Sequence, residues 1–307
     1  MKFVIVGTGG TGGVLGAYLA KAGNDVTFIA RGKHLAAMQE KGLTLETKHN
    51  GIININPCRA VTMEEYNDTP DAMLVCVKYY NIQDAIEFAR RTAGPETVII
   101  PILNVVGTGE VINDAIPERT ALDGCMYVLG KIKEPGTVEQ VQKILRVFFG
   151  FRKNQDRTLL PKVREIERLM NEAGIETHYT ENIVRDALQK FSFVSPMGAA
   201  CIYFNALSED FQQEGEVRET FIGLIREVQA LGKAMGIETD KDWVQLGLKL
   251  IDAYGPGIGT SMSRDVDAGN ASEFAGLVTR MVELGAKYNV PVSLYSKIND
   301  WGKAKGL

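Results

Sequence analysis

This sequence has few cysteines and no excess of basic residues, and each of these features argues against a class of protein. The four cysteines among 307 residues lie far apart, without a C-x-x-C pair or a spacing typical of a metal site. They are Cys58, Cys76, Cys125 and Cys201. We therefore expect reduced thiols and no metal centre, with Cys76 and Cys201 buried because they lie within apolar runs. The net charge of −4 shows no overall basic excess, so we expect no nucleic-acid partner.

Long apolar runs are missing as well. The longest, from Phe191 to Phe204, is interrupted by Ser, Pro and Gly and is too short to span a bilayer. The apolar run at the N-terminus meets a glycine at residue 7, which is not the pattern of a secretory signal peptide. These absences argue against a membrane partner, and we expect a cytoplasmic protein.

The chain is long enough for two domains, and its pattern changes near residue 180. In the first half, short apolar runs alternate with helical patterns, which is typical of a parallel sheet covered by helices. Strands are predicted at 2–6, 25–30, 72–77 and 97–103, with a hairpin over 43–57 and further strand-like sequence over 122–141. Beyond a helix at 160–173 and an extended piece at 176–180, helices are predicted at 182–204, 210–236, 240–254 and 270–288. We predict domains at 1–180 and 181–307, with a ligand cleft between them.

The first candidate site is the glycine-rich stretch G-T-G-G-T-G, formed by Gly7, Thr8, Gly9, Gly10, Thr11 and Gly12. The G-x-G-x-x-G spacing alone is a weak motif. Here it follows a predicted strand, opens a helix over 12–22 and precedes a second strand, which is the context of a dinucleotide-binding fingerprint. Glycines there permit a tight turn and the close approach of a pyrophosphate to a helix N-terminus. A mobile glycine loop explains neither the helix nor the second strand.

The end of the second predicted strand distinguishes the possible cofactors. NAD-binding proteins commonly place Asp or Glu there, whereas an arginine suits the 2′-phosphate of NADP. This chain has Arg31, with Lys33 and His34 nearby. A guanidinium can pair bidentately with a phosphate and stack on adenine, so NADP is favoured over NAD. FAD is a weaker alternative, because no flavin-binding apparatus follows.

Two polar residues end neighbouring predicted strands. Lys78 follows the strand at 72–77, and Asn104 follows the strand at 97–103. Ligands of doubly wound sheets bind beyond the carboxyl ends of the strands, so both residues are candidates for the nicotinamide side of the site. The alternative is that the lysine merely reaches water and the asparagine merely begins a turn.

Lys190 is the most unusual residue of the helical half. It shares a helix face with Ala187, Val194 and Met197, and a lysine in apolar surroundings generally has a partner or a task. A lysine that only extends its amine to water is the alternative. The functional interpretation is a general acid that protonates a carbonyl oxygen as hydride reaches its carbon.

The block T-S-M-S-R-D-V-D-A-G-N-A-S-E-F, residues 260–274, is a second constellation. Ser261 and Asp265 are predicted in a glycine-flanked stretch that leads into a helix. Glu273 is predicted at the rim of that helix, whose core stripe is Phe274, Leu277, Val278 and Met281. The glutamate is either an ordinary acid of a first helical turn or a group that orients a ribose, a lysine or a substrate hydroxyl.

Taken together, these motifs resemble the ketopantoate reductase (2-dehydropantoate 2-reductase) family over essentially the whole chain. The shared residues are G-T-G-G-T-G, A-R-G-K-H-L at 30–35, V-K at 77–78, Asn104, E-P-G at 134–136, A-L-Q-K-F at 187–191, S-M-S-R-D-V-D-A-G-N-A-S-E-F and N-V-P-V at 289–292. The resemblance implies an α/β Rossmann N-terminal domain and an all-α C-terminal domain like that of 6-phosphogluconate dehydrogenase. It also implies NADPH-dependent reduction of 2-dehydropantoate to (R)-pantoate, on the route to pantothenate and coenzyme A.

The resemblance implies roles for individual residues. Lys190 matches the general acid, and Glu273 matches an acidic residue near the cofactor and the lysine. Asn104 matches an asparagine that bridges cofactor and substrate, and Ser261 matches the serine that binds the substrate carboxylate. Arg31 matches the 2′-phosphate arginine. Lys78 matches a lysine on the cofactor side, and Gly7 to Gly12 match the pyrophosphate turn.

This chain departs from the family pattern beyond the lysine. Asparagines that members carry one and two helical turns later are replaced by Val194 and Gly198, and a tryptophan two residues before the lysine is replaced by Leu188. Ser195 could replace a lost hydrogen bond, although Pro196 alters the helix. Three functions therefore stay open: ketopantoate reductase, a related D-2-hydroxyacid dehydrogenase for another branched or aromatic 2-keto acid, and a non-catalytic NADP(H) sensor. A homodimer is also left open by the sequence.

Overall fold

The computed structural model describes all of residues 1–307. Its first half is organised around a six-stranded sheet in which every pairing is parallel. The strands are β1 (Lys2–Val6), β2 (Asp25–Ile29), β5 (Ala60–Val61), β6 (Ala72–Val75), β7 (Val98–Pro101) and β8 (Thr120–Ala121). Their order, β5-β2-β1-β6-β7-β8, reverses direction between β1 and β6, which is the doubly wound topology of dinucleotide-binding domains.

Helices connect these strands. They are α1 (Gly10–Lys21), α2 (Gly32–Lys41), α3 (Ile82–Thr92) and α4 (Thr108–Ala115), with a short 3₁₀ turn at Tyr79–Asn81 before α3. Strands β1 and β6 are almost completely buried, which explains why both are continuous apolar runs in the sequence.

A second sheet forms the other part of this half. It contains β3 (Leu43–Thr47), β4 (Gly51–Ile55), β9 (Asp123–Glu134), β10 (Thr137–Gly150) and β11 (Glu176–Tyr179), with α5 (Leu160–Glu172) beside it. The hairpin of β3 and β4 is confirmed, with Thr47 opposite Gly51. The sequence predicted helices that cover the parallel sheet, but not that a second sheet covers one of these helices. Helix α1 lies between the two sheets. The contact of α1 with each sheet needs a glycine. Towards the parallel sheet, a Cβ on Gly16 would lie 2.2 Å from a ring carbon of Phe28. Towards the second sheet, a Cβ on Gly10 would lie 2.3 Å from the Gly130 carbonyl oxygen.

The second half is entirely helical, as predicted. Its elements are α6 (Ile183–Phe204), α7 (Ser208–Gln212), α8 (Glu216–Ala234), α9 (Trp243–Asp252), α10 (Ser261–Asp267), a π-helical turn (Ala275–Thr279), α11 (Arg280–Tyr288) and α12 (Ser293–Ala304). The helix predicted over 210–236 is interrupted at Gly215, whose φ of +145° lies outside helical geometry. The helix predicted from residue 270 starts later and with a π turn, and Ser261 and Asp265 lie in a helix of their own.

Two compact units divide the chain. One contains Met1–Leu103 and Gly107–Ile183, and the other contains Asn104–Val106 and Val184–Leu307. The short segment that begins with Asn104 therefore groups with the helical unit. None of the helices is both long and apolar enough to cross a bilayer.

Candidate active site

The glycine-rich turn has the geometry that its spacing predicts. Gly7 has a φ of +97°, and a Cβ there would lie 3.0 Å from the backbone nitrogen of Val77. A Cβ on Gly12 would lie 2.2 Å from the Gly7 carbonyl oxygen, so α1 can start this close to β1 only with glycine. At Gly9, by contrast, an added Cβ would meet no atom within 4 Å. Gly9 thus borders open space at the start of the helix.

The N-terminus of α1 is well suited to an anion. Gly9 is its N-cap, no side chain caps it, and its first turn contains no acidic residue. The first backbone N–H groups of the helix therefore point outward without a side-chain partner, as at a phosphate-binding helix terminus.

Not every residue of the turn borders this space. The amide and the Oγ1 of the buried Thr8 both donate to the Ile29 carbonyl, at 2.9 and 3.0 Å. Thr8 thus joins the turn to the end of β2. Gly10 is required by the second sheet, at its contact with Gly130. Thr8 and Gly10 therefore hold the turn in place, Thr8 through its hydrogen bonds to Ile29 and Gly10 through its close approach to Gly130.

Arg31 lies two residues beyond β2 and is the N-cap of α2, with its side chain exposed. Three residues on, the Nδ1 of His34 accepts a hydrogen bond of 3.0 Å from the Gly136 amide, in the E-P-G turn between β9 and β10. Burial lowers the pKa of His34 from its usual 6.5, and a backbone contact with Thr8 opposes this in part. The imidazole is therefore neutral and joins the E-P-G turn to α2.

Lys78 is half-buried and is the N-cap of the 3₁₀ turn that follows β6. Strand β6 ends at Val75, two residues earlier than predicted. The backbone at Cys76 and Val77 lies against Gly7, so the glycine turn lies beside the residues that lead into Lys78.

The helical unit brings two of the predicted residues into direct contact. The Nζ of Lys190, on α6, donates a 2.7 Å hydrogen bond to the Oδ1 of Asn104. Asn104 lies three residues beyond the end of β7, and both residues are half-buried. The lysine is thus oriented by an amide rather than simply extended to water.

Beyond Lys190, the same region of α6 is apolar. Val194 is half-buried one turn later, and Gly198 is buried a further turn on. A Cβ on Gly198 would lie 2.9 Å from the terminal methyl carbon of Met262, which is itself fully buried. Met262 was not singled out from the sequence, because nothing in the order of residues shows that it fills the space beside Gly198.

Glu273 and Ser261 lie at the starts of helices. Glu273 is only 3% exposed, so its expected place at a helix rim is wrong. It precedes the π turn, and its carbonyl accepts the first helical hydrogen bond, from the Leu277 amide at 2.9 Å. The predicted core stripe, Phe274, Leu277, Val278 and Met281, is confirmed as buried. Ser261 is the first residue of α10, which Thr260 caps through a 3.0 Å bond from the Ser263 amide.

Ser195 does not provide the hydrogen bond to a ligand that the sequence left open. It has no exposed surface, and its Oγ donates to the Leu277 carbonyl at 2.6 Å. The same oxygen lies 2.6 Å from the Tyr295 hydroxyl. Its two hydrogen bonds are therefore both made inside the helical unit, away from any surface.

Comparison with known proteins defines the family. The family model described as "Ketopantoate reductase PanE/ApbA" matches residues 3–154, and the model described as "Ketopantoate reductase PanE/ApbA C terminal" matches residues 182–305. The chain belongs to the ketopantoate reductase family. It is an oxidoreductase of a family that uses NAD(P)H, and the family suggested by its motifs is confirmed.

Individual relatives are distant. A 2-dehydropantoate 2-reductase of Pyrococcus horikoshii is 25% identical over 297 residues, which cover 96% of this chain and 94% of that protein. The crystal structure of 2-dehydropantoate 2-reductase from Methylococcus capsulatus has a TM-score of 0.86 at 22% identity, covering 100% of this chain and 97% of that one. A ternary structure of D-mandelate dehydrogenase with NADH and anilino(oxo)acetate has a TM-score of 0.87 at 18% identity, covering 99% and 98%. The two structural matches show that the fold is shared.

Proposed function

We propose that the protein catalyses NADPH-dependent reduction of a 2-keto acid to the D-2-hydroxy acid, with Lys190 as the general acid. The observation that carries this proposal is the 2.7 Å bond from the Lys190 Nζ to the Asn104 Oδ1. It orients the amine of a lysine that the sequence places on an otherwise apolar helix face. A sensor that never protonates a substrate has no need of such an oriented lysine.

The residues of the first unit fit NADPH. The open space at Gly9 and the uncapped start of α1 suit a pyrophosphate, and the exposed Arg31 suits a 2′-phosphate. Gly7, Gly12 and Thr11 complete the turn, and Lys78 is assigned to the nicotinamide side. Asn104, which belongs to the helical unit, is assigned to the same side. When bound, NADPH supplies the hydride.

The residues of the helical unit act on the substrate. The Lys190 ammonium stabilises the negative charge that develops on the carbonyl oxygen and then gives that oxygen a proton. Asn104 accepts from Lys190 through Oδ1, and its amide nitrogen keeps two N–H donors for other ligands. The Ser261 hydroxyl is assigned to the substrate carboxylate. The buried Glu273 is assigned to orienting the lysine or a cofactor hydroxyl.

Two substrate classes are supported by different observations. Membership of the family favours 2-dehydropantoate, with (R)-pantoate as the product and a role in pantothenate and coenzyme A synthesis. A second candidate is another branched or aromatic 2-keto acid. It is favoured by the apolar side chain of Val194 and by the Met262 side chain, which fills the space at Gly198. Neither the Val194 nor the Met262 side chain can hydrogen-bond a substrate hydroxyl.

A panel of substrates tests the proposal. We would follow NADPH oxidation by the purified protein with 2-dehydropantoate, 2-ketoisovalerate, 2-ketoisocaproate and benzoylformate, and repeat each assay with NADH. The proposal predicts turnover with at least one acid and a higher kcat/KM for NADPH than for NADH. Superior kcat/KM for 2-dehydropantoate would identify a ketopantoate reductase, and superior kcat/KM for another acid would favour the second candidate. No turnover with any acid would contradict catalysis and favour a sensor that binds NADP(H).

A further inference from the structure

A buried chain of hydroxyl groups connects three helical elements of the second unit. The Oγ of Ser195 on α6 donates to the Leu277 carbonyl in the π turn, and the hydroxyl of Tyr295 on α12 lies against the same Oγ. Both distances are 2.6 Å, and neither Ser195 nor Tyr295 has any exposed surface. Because a serine hydroxyl has one proton, which is given to Leu277, the tyrosine must be the donor to Ser195.

The Leu277 carbonyl, which accepts from Ser195, lies in the irregular π turn. In the π turn, the Arg280 amide donates to the Ala275 carbonyl, five residues back, so the regular four-residue ladder is offset. The Ser195 hydroxyl supplies a donor to Leu277 from a different helix. Such a buried bond fixes the position of α6 against the π turn, since breaking it leaves a polar group buried without its partner.

The hydrogen bond from Ser195 to Leu277 joins two segments that contain residues of the proposed reaction. Ser195 lies five residues beyond Lys190 on the same helix. Leu277, which accepts from Ser195, donates its own amide to the Glu273 carbonyl at 2.9 Å. One residue of the π turn thus links the helix of the proposed general acid to the backbone of the proposed acidic partner.

We propose that Ser195, supported by Tyr295, is a positioning residue for Lys190 and Glu273. This inference rests on the proposed reduction. Neither hydroxyl contacts the substrate. Ser195 holds the helix of Lys190 in register with the segment of Glu273, so that the lysine amine is aligned when hydride is transferred.

Two variants and one control test this role. Ser195→Ala removes both hydrogen bonds, whereas Tyr295→Phe removes only the outer one and keeps the donor to Leu277. Thr279→Val is the matched control, because the Thr279 Oγ1 donates to the Asn299 Oδ1 at 2.8 Å and links the π turn to α12 without involving α6. For each protein we would measure kcat, KM for the best 2-keto acid, the dissociation constant of NADPH, and the isotope effect on kcat with NADPH deuterated at the transferred position.

Ser195→Ala is expected to lower kcat about 10-fold to 100-fold, with KM and NADPH affinity within about 3-fold of the wild type, because misalignment slows the chemical step. The isotope effect of Ser195→Ala should rise. Tyr295→Phe should also lower kcat and raise the isotope effect, each by a smaller factor. Thr279→Val should lower thermal stability while keeping the wild-type kcat and isotope effect.

Wild-type kcat and isotope effect in folded Ser195→Ala would overturn the proposal, as would an equal loss in Thr279→Val. If Ser195→Ala does not fold, Tyr295→Phe decides, and wild-type values in that variant overturn the proposal. Absence of turnover in the wild-type protein is a separate result, because it contradicts the reduction itself.

Discussion

Lys190 has an environment that a sequence pattern could suggest only in part. The helical spacing predicted its apolar neighbours, whereas its hydrogen bond to Asn104 joins residues 86 positions apart and depends on the fold. Val194 and Gly198, at positions where the resemblance implies asparagines, could be identified from the sequence. Their consequence could not, because Met262 fills the space at Gly198 from a distant segment.

Replacing Lys190 by alanine should remove the proton donor and leave the cofactor turn intact. We expect Lys190→Ala to lower kcat by about 100-fold to 10,000-fold, the range that general acid catalysis contributes. NADPH affinity, measured by fluorescence titration, should stay within about 3-fold of the wild type, since the pyrophosphate turn belongs to another segment. Lys249→Ala, on the exposed surface of α9, is the control. A wild-type kcat in Lys190→Ala would remove this lysine from the mechanism.

Arg31 is the residue expected to determine the choice between NADPH and NADH. A charged hydrogen bond contributes about 1.5–3 kcal/mol, so Arg31→Ala should weaken NADPH binding roughly 10-fold to 100-fold. NADH lacks the 2′-phosphate and should bind nearly as before. Lys41→Ala, at the other end of α2, is the matched control. Equal weakening of both cofactors in Arg31→Ala would show that the 2′-phosphate assignment is wrong.

At the scale of elements, the sequence predicted the four central strands of the parallel sheet, the hairpin over 43–57 and the helical second half. It did not predict the two short edge strands, β5 and β8. It did not predict that the second sheet covers α1, because that packing pairs residues far apart in the chain. It also did not predict the π turn, since a one-residue offset in the helical hydrogen bonds leaves the apolar spacing of the sequence almost unchanged.

Two adjacent glycines of α1 should separate packing from cofactor binding. A Cβ at position 10 would lie 2.3 Å from the Gly130 carbonyl oxygen, so Gly10→Ala should lower the free energy of unfolding by about 1–3 kcal/mol, the usual cost of overpacking. At position 9 an added Cβ meets no protein atom within 4 Å, and φ is −87°. Gly9→Ala should therefore fold normally and bind NADPH more weakly.

Urea unfolding and NADPH titration of both variants measure this difference. The wild-type protein is the reference, and each variant serves as the control of the other. Wild-type NADPH affinity in Gly9→Ala would show that the pyrophosphate does not lie against this glycine. Wild-type stability in Gly10→Ala would show that α1 and the second sheet are not in such close contact.

At the scale of the whole molecule, the family could be predicted from the ordered set of motifs along the chain. The substrate could not, because specificity depends on which side chains border the reacting carbon, and the sequence has apolar residues, Val194 and Gly198, where the resemblance implies polar ones. The apolar residues Val194 and Gly198 and the proposed reaction residues concern different questions. The first concerns which 2-keto acid is preferred, and the second concerns whether hydride is transferred at all.

Transfer of deuterium tests the proposed hydride transfer most directly. The wild-type protein would be incubated with NADPH deuterated on the transferred face and with the best 2-keto acid of the panel, and the product would be analysed by mass spectrometry and chiral chromatography. The proposed reaction predicts a D-2-hydroxy acid with one deuterium on C2, the former carbonyl carbon. A product without the label, or intact NADPH and 2-keto acid after prolonged incubation with folded protein, would contradict it.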